Sequence, residues 1–422
     1  MRWPTWRSST PWCIARNPAG GNRRPHHEDD PGMKRWVPFA YGFRPFFLLA
    51  GVYAVVAILL WVSSWPSSDR AFFGQPAMYW HGHEMIFGFI GAAIAGFMLT
   101  AVPSWTGQKG FGGWPLVVLT VAWLIGRLAF FMGDVLPLAL VALFELAFLP
   151  GLAILIGPSL ARTANRNRPL LLVLLAFWLL DAVFLYGTWM SQPMLCAMAL
   201  RGALGLVMVL ITVIGGRIVP AFTGNALRGS GIETTMRSPA VLARCTIAAT
   251  VAWAIAVAIS PVAMITAVIA ALAAGLHGVR MLGWQGVKTL RMPIVWVLHL
   301  AYAWIPIGLL LHAVSIASGV AWAGQWLHAL GAGAAGMMIL AVMTRAALGH
   351  TGRPLKVGKR IVVAYIALTL AVAVRVFASS TGMLEYSPAI HLAGGLWVFA
   401  YGLFVLVYAP VLLLPRVDRK PG

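Results

Sequence analysis

The sequence predicts an all-α polytopic membrane protein with about twelve transmembrane helices, in three pseudo-repeats of four, and with both termini in the cytoplasm. Three observations support this prediction. The 422 residues are 60% hydrophobic and only 10% charged, with a mean hydropathy of +0.83, outside the range of ordinary soluble domains. Apolar segments long enough to cross ~30 Å of hydrocarbon recur along the chain. Lysine and arginine are concentrated in every second link between these segments.

The apolar segments are separated by polar or Gly/Pro-containing links, and the links near residues 134 and 260 are the shortest. A transmembrane helix needs about 20 predominantly apolar residues, and each segment reaches or approaches that length. The spans are predicted at 45–65, 82–103, 114–133, 135–157, 168–189, 195–219, 239–260, 261–279, 293–313, 322–345, 360–379 and 390–415.

The distribution of basic residues predicts the orientation. Of 31 Lys and Arg residues, 27 fall in the termini, in the links after even-numbered spans or in the ends of the spans beside those links. Arg70 is the single basic residue in the remaining links, and three arginines lie inside spans. This asymmetry follows the positive-inside rule and places both termini in the cytoplasm. The net charge of +20 therefore reports topology, and nucleic acid is excluded as a partner.

The ends of the chain differ from its membrane part. Residues 1–32 are polar and lack the apolar segment of a secretory signal, so we expect a disordered extension, with Met33 as an alternative start. Residues 33–416 are predicted to form a single twelve-helix membrane domain, and 417–422 a short basic tail. Three cysteines provide neither a disulfide framework nor a CxxC zinc motif.

A threefold repeat is visible in the motifs that bound the spans. The second, sixth and tenth spans end in VPSWTG (102–107), VPAFTG (219–224) and GHTG (349–352). The first, fifth and ninth begin near Arg-Pro at 44, Arg-Pro at 168 and Arg-Met-Pro at 291. The separations are near 120 residues, which corresponds to four spans. We therefore expect three four-helix units around a pseudo-threefold axis.

This register places two histidines at equivalent positions. His83 and His328 each lie 23 residues before the threonine of the motif, about 35 Å along a helix and hence at the outer face. We expect them to converge on one central cofactor. His81 lies about 200° around the helix from His83, so the two serve two sites or one orients the other. The alternative is interfacial histidines that bind lipid headgroups.

Three arginines lie in the outer halves of spans, namely Arg127, Arg201 and Arg375. Because arginine binds carboxylates through two parallel hydrogen bonds, they are candidates to hold the propionates of a haem. Structural ion pairs with Glu84 and Asp181 are an equally weighted alternative. On the cytoplasmic side, His299 and His350 are candidates for a second metal site or for polar caps.

The chain resembles the NnrS family of bacterial haem- and copper-containing membrane proteins, which are linked to nitric oxide metabolism and nitrosative stress. The stretches that carry the resemblance extend from about residue 38 to the end of the chain. They are YGFRPFFLLAG (41–51), WHGHEMIFGFIGAAIAGFMLTAVPSWTG (80–107), GGRIVPAFTGN (215–225), WVLHLAYAWIPIGLLL (296–311) and HALGAGAAGMMILAVMTRAALGHTGRPL (328–355).

The resemblance implies haem b and copper as cofactors, and a location in the bacterial inner membrane. The positions at which the family's metal ligands would be sought are His81, His83, Glu84, His299, His328 and His350. The implied function is nitric oxide metabolism or resistance to nitrosative stress, with nitric oxide or a related small molecule as ligand. Without a CxxCH motif, any haem is non-covalent, and electrons come from quinone or a donor protein. Non-catalytic protection or sensing, and membrane transport, are the alternatives.

Overall fold

The computed structural model describes residues 37–64, 77–163 and 167–418; the predicted extension 1–32 and most of the tail 417–422 lie outside them. The described residues form twelve helices long and apolar enough to cross a membrane, without β-strands among them. The prediction of an all-α polytopic membrane protein is confirmed. The helices are α1 Phe43–Ser64, α2 Ala77–Thr106, α3 Trp114–Phe131, α4 Leu138–Arg162, α5 Leu170–Trp189, α6 Pro193–Gly229, α7 Ala240–Ile259, α8 Met264–Leu282, α9 Pro293–Ser318, α10 Ala321–His350, α11 Lys359–Ala378 and α12 Tyr386–Leu413.

All twelve predicted spans coincide with helices, and the largest difference in bounds is in α6. Its predicted end at residue 219 falls ten residues short of Gly229, because hydropathy detects only the part of a helix that lies in hydrocarbon. Pro220 lies inside this helix rather than ending it. The two shortest predicted links are real breaks, since α3 ends at Phe131 and α7 at Ile259.

The helices form a closed bundle in which consecutive helices pack together and α1 packs against α12. Helices α2, α6 and α10 lie inside, where α6 contacts both of the others. Burial agrees with this placement: the most apolar window of α2 is 78% buried and that of α10 is 67%, whereas those of α4, α7 and α12 are each 33% buried. The helices that carry the repeated motifs therefore form the centre of the bundle, together with α9.

A wholly apolar cavity of about 90 Å³ lies between α2, α6 and α10. Its lining residues share one register. Counted back from the threonine of the repeated motif on each helix, they include the residues 16, 13, 12 and 9 positions earlier. These residues lie within 90–97 in α2, 207–214 in α6 and 335–342 in α10. Thr106, Thr223 and Thr351 each donate a hydrogen bond to the carbonyl four residues earlier. The shared register supports the threefold repeat. The repeat and the cytoplasmic location of the termini both stay predictions.

Three segments of π-helix interrupt the spans at one end of the bundle. They are Glu84–Ile90 in α2, Ala329–Gly336 in α10 and Val374–Ala378 in α11. The first two begin one residue after His83 and His328, and the third contains Arg375. Because π-segments change the direction of side chains and are frequent at functional sites, they mark this end of the bundle as the place to seek a site.

A close approach between α6 and α7 provides a test of the packing. A Cβ atom at Gly205 would lie 2.8 Å from Ala254 Cβ and 3.0 Å from its Cα, so the α7 backbone itself would have to shift. We expect Gly205→Ala to lower the melting temperature in detergent, at a cost of about 1–3 kcal/mol. Gly275→Ala is the control, since nothing lies within 4 Å of its Cβ position, and its better helix propensity should be neutral or stabilising. Equal melting temperatures for the two variants would contradict this packing.

Candidate functional site

Two histidines face each other at the outer end of the bundle, the end opposite the basic links. The rings of His81 in α2 and His328 in α10 have centroids 6.4 Å apart and planes 15° from parallel. His81 also stacks on Trp61 of α1, with centroids 4.7 Å apart. The Nδ1 atom of His81 is buried and has no hydrogen-bond partner. We call His81 and His328 the histidine pair.

Arg375 accompanies the histidine pair. It lies in the π-segment of α11, and its positive charge acts on both His81 and His328. Its guanidinium contacts the Ser379 and Tyr386 hydroxyl oxygens at 3.3 Å each, long contacts that leave the group available for a stronger acceptor. Arg375 is therefore the one arginine of the predicted three whose charge acts on both histidines of the pair.

The pair fits the chemistry of a metal bound between imidazoles. Neutral imidazole is a common ligand of iron, copper and zinc, and the buried Nδ1 of His81 lacks any protein partner. Gly331 follows His328 by three residues, within the π-segment of α10. Nothing lies within 4 Å of its Cβ position, so the surface beside His328 is open to a larger group. The donor set and this open surface fit both a copper ion and a haem.

His83 belongs to a different cluster, formed with the acidic residues of the spans. Its Nδ1 lies 2.9 Å from Glu84 Oε1, and its Nε2 lies 2.9 Å from Asp181 Oδ1. Glu145 Oε1 is 4.0 Å from the same Nε2. Arg127 donates to Glu84 Oε1 at 2.6 Å and also bonds Glu145. We call these five residues the acidic cluster.

The acidic cluster is enclosed by aromatic rings. His83 stacks on Phe130, with centroids 3.9 Å apart and planes 10° from parallel, and it also contacts Phe87 and Phe184. Every member of the cluster is at most 7% exposed. In such surroundings the charged groups interact far more strongly than in water, so their charges must be balanced locally.

The remaining predicted residues lie elsewhere. Arg201 donates to the Val257 carbonyl at 3.2 Å. His299 Nε2 lies 2.7 Å from Thr223 Oγ1, whereas the ring of His350 lies 5.5 Å from that of Phe43. The described contacts therefore do not join His299 and His350 in one site: His299 is the polar partner of Thr223, and His350 packs against Phe43.

Another outer histidine, His312, has a structural role. It accepts a hydrogen bond from Trp253 Nε1 at 3.1 Å through Nδ1 and donates from Nε2 to the Pro261 carbonyl at 2.9 Å. Its ring also stacks on Trp326, with centroids 3.8 Å apart. Both ring nitrogens are thus satisfied by protein, in contrast to those of His81.

The expected convergence of His83 and His328 is not what the described contacts show, because His328 faces His81 and His83 faces Asp181. His81 and His83, which were predicted to point in opposite directions, have different described partners; whether they serve two sites stays a prediction. The sequence analysis considered Asp181 as an ion-pair partner of the arginines but grouped neither Asp181 nor Glu145 with His83. The depth of the three acids in their spans indicates that they can meet. Glu84 and Glu145 lie seven residues from the outer ends of their helices, and Asp181 lies eight residues from the outer end of its helix.

Comparison with known proteins gives one result on family. A family model described as NnrS protein matches residues 37–416, which is most of the chain. No curated protein matches the chain. Both the histidine pair and the acidic cluster lie within the matched residues.

Arg127 tests the charge balance of the acidic cluster. Arg127→Met keeps much of the side-chain volume but leaves the buried carboxylates without their guanidinium. We expect a loss of about 3–5 kcal/mol in stability, measured as a lower melting temperature or loss of monodisperse protein in detergent. Arg416→Met removes a matched but partly exposed ion pair with Asp418 and should cost at most about 1 kcal/mol. Equal effects of the two substitutions would refute the buried charge balance.

Proposed function

The chain belongs to the NnrS family, and from this premise we propose that it is a haem- and copper-binding protein of the bacterial inner membrane. Its proposed role is in nitric oxide metabolism or in resistance to nitrosative stress. Family membership motivates the cofactors and the biological role. The twelve membrane-spanning helices are consistent with the location. The residues that carry the proposal are those of the histidine pair.

The spacing of the histidine pair is the observation that supports the proposal most. At this spacing the neutral imidazoles of two helices would each offer a nitrogen to the same metal ion. The observed separation between His81 and His328 is 6.4 Å, with nearly parallel planes. Direct contact between stacked rings would be closer, as the 3.9 Å between His83 and Phe130 shows.

The surrounding residues suit haem b. His81 and His328 would hold the iron, and Arg375 would pair with a propionate through charge-assisted hydrogen bonds. Trp61 fixes the ring of His81 by stacking. A bound haem supplies a one-electron redox couple whose potential depends on the ligands and on burial. Copper(I) accepts the same two imidazoles, so metal analysis must decide which cofactor occupies the pair.

The central cavity supports a small uncharged ligand. It is apolar, has a volume of about 90 Å³ and is lined by α6 together with α2 and α10, the helices that carry the histidine pair. Apolar cavities stay dry and bind small apolar molecules, and nitric oxide is small and uncharged. Ala335, which lines the cavity, lies seven residues from His328, about 10 Å along a helix. The cavity therefore provides a reservoir for such a molecule within reach of the pair.

The same site serves two modes of action. In a redox enzyme, electrons from quinone or a donor protein would reach the histidine pair and nitric oxide would be consumed. In a protective or sensing protein, nitric oxide would bind without turnover. Repeated anaerobic additions of nitric oxide and reductant to purified protein separate the two, since only the enzyme continues to consume the gas.

Substitution of the histidine pair tests cofactor binding. We expect His81→Ala and His328→Ala each to abolish most of the Soret absorption of detergent-purified protein, because each removes one of the two nitrogens. The control is His312→Ala, which should retain haem because the ring nitrogens of His312 are both bonded to protein. Pyridine-haemochrome and copper analyses provide the measurement. Unchanged haem and copper in both variants of the pair would refute the assignment.

Filling the cavity tests the route of the ligand. We expect Ala335→Leu to slow the spectral change caused by anaerobic nitric oxide several-fold while leaving the haem content unchanged. Ala335 is fully buried and lines the cavity, so added methyl groups take up part of its volume. Ala271→Leu on an exposed position of α8 is the control. An unchanged rate in stopped-flow measurements on Ala335→Leu would exclude the cavity as the route.

A further inference from the structure

All acidic residues of the twelve spans meet at one place. The spans contain three, namely Glu84, Glu145 and Asp181, and each belongs to the acidic cluster. Among the described residues, Arg127 is the cation that forms ion pairs with these acids. Three carboxylates against one guanidinium leave two negative charges when His83 is neutral. A net charge of this size is costly in a buried apolar site, so a further positive species is required.

The hydrogen bonds of His83 indicate where that species lies. Arg127 donates to Glu84 Oε1 at 2.6 Å, which stabilises the carboxylate form of Glu84. With Glu84 in that form, His83 Nδ1, 2.9 Å away, would be the donor to it. In a neutral imidazole the Nε2 atom then carries a lone pair. That lone pair faces Asp181 Oδ1, another acceptor, across 2.9 Å. Two buried acceptors at this distance repel each other unless a positive species is shared between them.

We propose that a divalent first-row transition-metal ion binds between His83 Nε2, Asp181 and Glu145. Donor atoms of these three side chains all lie within 4.8 Å of one another. The Nε2 atom is 2.9 Å from Asp181 Oδ1 and 4.0 Å from Glu145 Oε1. Two ligand atoms of a tetrahedral metal ion with bonds of about 2.1 Å lie roughly 3.4 Å apart. One of the two separations from Nε2 is shorter than this value and the other is longer. Small side-chain rotations would bring all three atoms to bonding distance.

Charge and orientation both suit this ion. Two positive charges together with that of Arg127 balance the three carboxylates. Metal-bound histidines usually donate their other N–H to a carboxylate, which fixes the ring and its tautomer, and the contact from His83 Nδ1 to Glu84 has this form. Imidazole and carboxylate ligands together suit Zn²⁺, Fe²⁺ or Cu²⁺. Phe130, stacked on His83, shields the site from water.

This metal site is separate from the histidine pair and does not depend on the proposed function. His83 is two residues from His81, but the two rings have different partners. Different substitutions should therefore remove the haem and the divalent ion. Asp181→Asn should leave the Soret band unchanged, whereas His328→Ala should leave the divalent ion bound.

The experiment is a Zn²⁺ titration of detergent-purified full-length protein, stripped of divalent metal by chelation. We expect wild type to bind one Zn²⁺ that His328→Ala retains. Asp181→Asn and Glu145→Gln each remove a ligand, so the affinity for that Zn²⁺ should fall at least 100-fold, beyond the roughly 10–100-fold effect of second-shell changes. Asp134→Asn changes an exposed acid outside the spans and is the matched control. The size-exclusion profile and the melting temperature of each variant report folding.

Wild-type Zn²⁺ coordination, measured by X-ray absorption, tests the site even where a variant does not fold. One imidazole with two carboxylates supports the proposal, and two imidazoles would place the ion at the histidine pair and overturn it. No bound Zn²⁺ in wild type, or undiminished affinity in folded Asp181→Asn and Glu145→Gln, would also overturn it. Protons would then neutralise the acidic cluster.

Discussion

The structure depends on one physical constraint, which is that hydrocarbon does not solvate charge or unpaired polar groups. Each buried polar side chain of the spans must therefore find a partner inside the bundle. The motif threonines bond the carbonyl one turn earlier, and Trp253 and a backbone carbonyl satisfy His312. The acids of the spans are drawn together around Arg127 and His83. Several buried polar atoms of the described residues have no protein partner, and they include His81 Nδ1 of the histidine pair and Glu145 Oε2 of the acidic cluster, so both sites retain the capacity to bind a further group.

Hydropathy was sufficient to predict the twelve spans, because the requirement for about 20 apolar residues leaves a strong pattern in a chain of this composition. It failed at the end of α6, where ten further residues continue the helix to Gly229 beyond the apolar segment. It also failed to reveal the π-segments at Glu84–Ile90 and Ala329–Gly336. A π-segment depends on which side chains must face inward after the helices have packed, and a periodicity of 3.6 residues does not contain that information.

The candidate residues at the outer face were predictable from the sequence, but their pairing was not. The motif register makes His83 and His328 equivalent, and we expected equivalent residues to meet on the axis. In a ring of repeated units, equivalent residues face the same way around the ring, and they meet only if they point at its axis. His83 reaches Asp181, at the start of the second proposed unit, and His328 reaches His81 of the first. Each contact joins one proposed unit to the next in the same direction around the ring. The proposed symmetry accounts for this common direction once the packing is known.

The proximity of the two sites along α2 gives the charge balance of the acidic cluster a second consequence. His81 and His83 are two residues apart on opposite sides of a helix, so their bound groups would lie on the order of 10 Å apart. At an effective dielectric constant of about 20, one unbalanced charge at that distance changes the energy of another by roughly 1.7 kcal/mol. Two unbalanced negative charges would strongly favour the oxidised form of a metal at the histidine pair. A neutral acidic cluster removes that bias, so the ion that balances Glu84, Glu145 and Asp181 would also set the redox potential of its neighbour.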